Sequence, residues 1–186
     1  MPQSLTSYRV FLASPGGLEV ERKRFRETLE EYNEGEAIPR GVHFCPVGWE
    51  VTLGGVGRPQ ELINEEILSC DYFALLLHDR WGSSPLPANV PQEFTSGTEE
   101  EYHVATSCRQ DANRPMRDVL LLFKGVSPER MSDPGEQLKK VLAFRKQIQA
   151  GKEHLFETFD EPDEFQRCLR RHLAKWTRDH ESERKG

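Results

Sequence analysis

The stretch DYFALLLHD, residues 71–79, is an almost unbroken run of apolar side chains. Such a run, without polar alternation, is typical of a central strand in a parallel sheet that is covered on both faces. Helices must pack against both faces of the sheet to bury it. The stretch therefore predicts an α/β fold in which helices alternate with strands along the chain.

That alternation extends in both directions from residues 71–79. Four more strand-like runs lie at 8–14, 41–49, 118–125 and 154–159. Apolar residues at helical spacing mark five further stretches, at 15–33, 58–70, 97–110, 134–149 and 161–179. Five strands alternating with five helices predict one parallel, doubly wound domain over 8–178. We expect a flexible segment before it, 1–7, and a polar tail or linker after it, 179–186.

Composition excludes several classes of protein. The 186 residues are enough for one domain, 36% of them are hydrophobic and 30% are charged. A net charge of −6 argues against broad nucleic-acid binding, which needs a basic footprint. Because no run of 18 apolar residues or secretory signal occurs, we expect a cytoplasmic protein with no membrane span. The four cysteines and six histidines show no ligand spacing, so we expect neither disulfides nor a metal.

In a doubly wound sheet the ligand crevice lies outside the carboxyl ends of the strands, at the point where the strand order reverses. Ser14 and Gly16 follow the first strand and could line a phosphate path, although Ser14 could equally cap the next helix. Trp49 follows the second strand and could stack on a nucleobase, or simply belong to an exposed glycine-rich loop. Arg80 and Trp81 follow the third strand. Arg80 could contact a ribose or phosphate, or pair with a carboxylate such as Glu50.

A cluster of three glutamates opens the third helix, in SGTEEEYHVA, residues 96–105. Two overlapping capping boxes fit it, one pairing Thr98 with Glu101 and the other Ser96 with Glu99. The helix dipole also favours acids at this position, so capping alone accounts for the glutamates. Capping does not account for the location of this helix start at the crevice, after the long loop 82–97.

Three segments carry a resemblance to a known family. RVFLASPGGLEVER, RPQELINEEILSCDYFALLLHDRWG and SGTEEEYHVA, in this order, resemble the TIR-like domain at the N-termini of many STAND-type NTPases. The resemblance runs from about residue 8 to residue 176. It implies a flavodoxin-like five-stranded sheet of order 2-1-3-4-5 with helices on both faces, and further domains in a longer parent chain.

More distantly, GTEEEYHVA is similar to the signature of nucleoside deoxyribosyltransferases, in which a glutamate attacks the anomeric carbon of a sugar. That pattern falls on Gly97, Thr98, Glu101 and Ala105, while Thr95 stands where those enzymes usually carry an aspartate. TIR domains that cleave NAD also have a glutamate at the start of the corresponding helix. The resemblance therefore selects Glu101 among the three glutamates, with Thr98 beside it.

The resemblance implies a TIR-like effector that hydrolyses the N-glycosidic bond of NAD or a related nucleotide when oligomerised, in prokaryotic immune defence. NAD would be substrate, and no cofactor is expected. Glu101 would act as nucleophile or electrostatic stabiliser, in a form kept ionised by the helix N-terminus. Trp49 or Trp81 would stack on the base. Two alternatives stay open, a non-catalytic assembly module that associates with itself and a domain that senses a nucleotide without cleaving it.

Overall fold

The computed structural model describes residues 4–48, 59–152 and 154–185. Five parallel strands form one sheet in the order β2-β1-β3-β4-β5, which confirms the predicted flavodoxin-like α/β fold. The strands are β1 (Thr6–Ala13), β2 (Val42–Val47), β3 (Tyr72–Leu77), β4 (Asp118–Lys124) and β5 (Phe156–Phe159). The helices are α1 (Glu19–Tyr32), α2 (Pro59–Ile67), α3 (Gly97–Gln110), α4 (Pro128–Ser132), α5 (Glu136–Gly151) and α6 (Pro162–Lys185).

The central strand β3 is buried along its whole length, as the apolar run predicts. Alternate residues enter two separate hydrophobic clusters, one on each face of the sheet. Tyr72 and Ala74 pack with α1 and α6, whereas Phe73 and Leu75 pack with α2, α3 and α5. A strand that must fill both clusters has no solvent face, which is why its sequence lacks polar alternation.

The edge strand β2 contains Pro46, which pairs in register with Val10 of β1. Proline cannot donate a hydrogen bond, so it suits a strand with a neighbour on one side only. After α1 the chain continues through a π-helical turn, Asn33–Ala37, and a 3-10 turn, Ile38–Arg40. Asn33 ties this segment to β2, since its side chain donates to the Phe44 carbonyl at 2.8 Å.

The C-terminal segment differs from the prediction of a polar tail, because α6 continues to Lys185. His180 anchors this extension: it is 1% exposed, its ring stacks on Tyr8 at 3.6 Å, and its Nε2 lies 2.7 Å from the Tyr72 hydroxyl. Arg184, one turn further, donates to the carbonyl of Arg40 at 2.6 Å. At the other end, β1 begins at Thr6, inside the segment expected to be flexible.

Within the three described ranges, no helix is both long enough and apolar enough to cross a bilayer. The strand order reverses between β1 and β3, which are hydrogen-bonded neighbours with connections leaving in opposite directions. The carboxyl ends of these two strands therefore define the expected ligand crevice.

Candidate functional site

A cavity of about 610 Å³ lies at this crevice. It is lined by residues from the loops after β1 and β3 and from the first turns of α2, α3 and α5. Four of the residues predicted from the sequence line it, namely Gly16, Arg80, Thr98 and Glu101. The structure thus brings together residues that are up to 85 positions apart in the sequence, in the loops after the two strands that flank the switch point and at the start of α3.

The start of α3 shows which glutamate caps the helix. Ser96 is the N-cap, and its Oγ accepts a hydrogen bond from the Glu99 N–H at 3.0 Å. Glu99 turns back and accepts from the backbone N–H of Thr95 at 2.6 Å and from its hydroxyl at 2.8 Å. The earlier of the two possible capping registers is therefore the one formed. Thr98 is not the cap, and Glu101 has no part in capping.

Glu101 is instead buried at the floor of the cavity, with 8% of its surface exposed. Its Oε1 accepts a hydrogen bond from Gln60 Nε2 at 3.1 Å. The pKa of this carboxyl is raised to about 7, chiefly by burial; the Gln60 hydrogen bond lowers the pKa and nearby Glu100 raises it. The expectation that the helix N-terminus keeps Glu101 fully ionised at neutral pH is wrong, because desolvation outweighs the helix dipole here.

Glu100 belongs to a polar chain between α2 and α3. It is buried, and its Oε1 accepts from Asn64 Nδ2 at 2.8 Å. Asn64 Oδ1 in turn accepts from Gln60 Nε2 at 3.3 Å. The sequence suggested only that the helix dipole favours an acid here, whereas the structure links Glu100 through Asn64 to Gln60, which contacts Glu101.

The cavity wall also contains the cationic side chain of Arg80, which lies over a glycine turn. A methyl group added at Gly17 would lie 3.7 Å from Arg80 Cδ and Nε, so the arginine passes directly above the turn between Gly16 and Gly17. Arg80 is exposed, and none of the carboxylates that the structure describes forms an ion pair with it. Its suggested partner Glu50 lies outside the described residues. An exposed guanidinium beside open backbone suits a phosphate.

Ser14 stands behind this wall and does not line the cavity. Its Oγ accepts from Arg22 Nη1 at 3.1 Å. The alternative that Ser14 caps α1 is also wrong, because α1 begins at Glu19 with Leu18 as N-cap and no capping side chain.

Trp81 is buried below the cavity rather than lining it. The indole is 3% exposed, its ring centroid lies 5.2 Å from that of Phe144, and its Nε1 donates to Thr95 Oγ1 at 2.7 Å. Neither face of the ring is available to a base, so the predicted stacking role does not fit Trp81. Trp49, the other predicted stacking residue, lies outside the described residues.

The sequence reasoning missed Gln60 and Gln137, whose side chains also line the cavity. Gln137 Oε1 accepts from the backbone N–H groups of Trp81, at 2.8 Å, and Gly82, at 3.0 Å, and so holds the loop after β3. Both glutamines lie in the first turn of a helix, Gln60 in α2 and Gln137 in α5. First turns lie at the carboxyl edge of the sheet, and that position was the signal available in the sequence. The described residues hold no cluster of three potential metal ligands.

Comparisons with known proteins agree with this fold. The TIR domains in a structure entitled "Structure of the activated Roq1 resistosome directly recognizing the pathogen effector XopQ" superpose with a TM-score of 0.50, at 12% sequence identity, over 89% of this chain and 99% of that one. That likeness shows a TIR-like fold. No curated protein sequence matches the chain. A family model described as "Domain of unknown function (DUF4062)" matches residues 9–174, and the chain therefore belongs to the DUF4062 family.

Proposed function

We propose that this TIR-like domain hydrolyses the N-glycosidic bond of NAD or a related nucleotide when it is oligomerised, as an effector in prokaryotic immune defence. The observation that carries the proposal is Glu101, a buried carboxyl that caps nothing and faces a cavity shared with Arg80. A carboxyl with a perturbed pKa in such a crevice is a functional-site candidate on physical grounds.

The reaction breaks the bond between the ribose anomeric carbon and the nicotinamide nitrogen. The bonding electrons leave with the base, so the nicotinamide becomes neutral and needs no general acid, while positive charge builds up on the ribose. Ionised Glu101 stabilises that oxocarbenium-like charge or forms a bond to the anomeric carbon, and attack of water on this carbon then completes the hydrolysis. Arg80 would bind the diphosphate over the Gly16–Gly17 turn, and Thr98 would contact the ribose.

The protonation of Glu101 sets the expected pH dependence. With a pKa of about 7, raised by burial, the carboxyl is about half ionised at neutral pH. Because the ionised form does the chemistry, kcat/KM should rise about tenfold between pH 6 and pH 8.

An assembly module without catalysis is the second candidate. The TIR domains that this fold resembles are described as part of a resistosome, which supports self-association of this domain too. A sensor that binds a nucleotide without cleaving it would use the same cavity. In either case we expect the domain to operate within a longer chain, such as a STAND-type NTPase.

The test is NAD consumption by the domain at high concentration or fused to an oligomerising tag. Glu101→Gln should lose nicotinamide release by at least about a thousandfold if the carboxylate carries the chemistry. Glu99→Gln is the matched control, since it makes the same change two residues away in a capping residue and should keep turnover. Absence of turnover in the folded, assembled wild type would contradict the catalytic proposal and leave the assembly and sensor candidates.

A further inference from the structure

We propose that Gln60 is the positioning residue of the Glu101 carboxylate, and that glycine is required at position 97 so that the Gln60 amide can reach it. The inference rests on the proposed function for its effect on turnover, whereas its effect on the carboxyl itself can be measured without any activity.

The orientation of the Gln60 amide follows from a chain of hydrogen bonds that ends on a carboxylate at each side. Glu100 accepts from Asn64 Nδ2 at 2.8 Å, which turns Asn64 Oδ1 towards Gln60. Gln60 Nε2 then donates one hydrogen to Asn64 Oδ1, at 3.3 Å, and the other to Glu101 Oε1, at 3.1 Å. A flipped amide would set its oxygen against two oxygens, so only one orientation satisfies the chain.

This arrangement fixes one oxygen of Glu101 and leaves the other for the ligand. Among the described residues, none donates to Glu101 Oε2. A carboxylate held through Oε1 presents Oε2 in a defined direction at the cavity, as a nucleophile or charge stabiliser must. The groups that bear on its charge are Gln60, through its hydrogen bond, and Glu100 on the same helix, while Arg80 lines the same cavity.

Gly97 explains how Gln60 approaches so closely. A methyl group added at Gly97 would lie 2.4 Å from Gln60 Oε1 and 3.3 Å from its Cδ, and the three nearest atoms all belong to this amide. The backbone of Gly97 does not have a positive φ, so alanine fits the first turn of α3 without strain. Gly97→Ala should therefore displace the Gln60 amide from Glu101 while leaving the helix intact.

Two variants remove the hydrogen bond by independent routes, Gln60→Leu by deleting the donor and Gly97→Ala by displacing it. Gln166→Leu is the matched control, because Gln166 also donates to a glutamate, Glu31, on the surface and away from the cavity. The measurement is a pH titration of protein labelled with ¹³C at the glutamate carboxyl, followed by NMR. The Glu101 signal is the one that is missing from Glu101→Gln.

We expect the pKa of Glu101 to be near 7 in the wild type and the control, and higher by about one in both other variants, because a donor to the charged form is lost. At pH 7 turnover should then fall about fivefold and recover near pH 9. An unchanged pKa in folded Gln60→Leu and Gly97→Ala overturns the inference, as does a raised pKa with an unmoved pH–rate profile. A raised pKa in a domain without turnover in any variant supports the positioning of the carboxyl and contradicts only the proposed function.

Discussion

Replacing Glu101 by glutamine should stabilise the fold at alkaline pH. Burial raises the pKa of this carboxyl from 4.5 to about 7, so the folded state holds the proton more tightly than the unfolded chain. The stabilisation from that proton is present below pH 4.5 and is lost as pH rises through 7. At pH 8 the ionised carboxylate therefore costs the native state about 3 kcal/mol relative to a neutral side chain.

Glutamine removes this cost and keeps an oxygen that can accept from Gln60. We expect the unfolding free energy of Glu101→Gln to exceed that of the wild type by about 2–3 kcal/mol at pH 8 and by little at pH 5. For a domain of this size the gain corresponds to about 4–12 °C in Tm. Urea unfolding followed by tryptophan fluorescence measures the free energies, with Glu99→Gln as a control whose difference from wild type should be small and similar at both pH values, because glutamine keeps an oxygen that can accept from Thr95.

The comparison must be made against wild type at each pH, because His180 opposes Glu101. Burial lowers the pKa of His180 from 6.5 to about 4, so its stabilising contribution is present above pH 6.5 and is lost as pH falls towards 4. The two contributions have opposite slopes over nearly the same range and offset each other in the wild type. The contribution of His180 is the same in both proteins, so it cancels in the difference between their unfolding free energies. A difference that stays flat or declines from pH 5 to pH 8 would refute the burial cost assigned to Glu101.

Two further predictions concern Arg80 on the cavity wall and the C-terminal helix α6. Arg80→Leu should raise KM for NAD about tenfold or more, because a charge-assisted contact to the substrate is lost. The unfolding free energy should change by less than about 0.5 kcal/mol, because the side chain is exposed. A changed kcat at constant KM would contradict a binding role. Truncation after Arg178 should cost at least about 2 kcal/mol in urea unfolding, because it removes buried His180 and leaves the Tyr72 hydroxyl without its partner. A chain ending after Glu181 keeps that contact and should lose less; equal losses would place the stabilisation beyond His180.

The strands were predictable because burial on both faces leaves a direct trace in the sequence, and β3 is the best example. The extension of α6 was not, because its anchor is a histidine. Leu173 and Trp176 continue the buried face of the helix to His180, but a histidine counts as polar in a sequence pattern. Its burial follows only from its stacking on Tyr8 and its hydrogen bond with Tyr72. A single tertiary cluster thus decides whether the last turns are helix or tail.

The site was predictable in position and less so in detail. The carboxyl ends of the predicted strands indicated where the crevice lies, and the family resemblance selected Glu101. The sequence satisfied two capping registers equally, and the structure forms the one in which Ser96 accepts from the Glu99 N–H, so that Glu101 takes no part in the cap. Trp81 directly follows Arg80 in the loop after β3, yet the chain turns the tryptophan into the core and the arginine onto the glycine turn. Sequence spacing does not encode that direction.

The three glutamates of SGTEEEYHVA have three different roles in the fold. Glu99 caps α3, and Glu100 ties α3 to Asn64 of α2. Among the described residues, no cation pairs with Glu101 and no cap uses it, while its ionised form costs stability at neutral pH. If the fold needed only a hydrogen-bond acceptor for Gln60, glutamine at position 101 would give a more stable protein at neutral pH. Greater stability together with lost turnover in Glu101→Gln would therefore separate a carboxylate kept for chemistry from one kept for the helix.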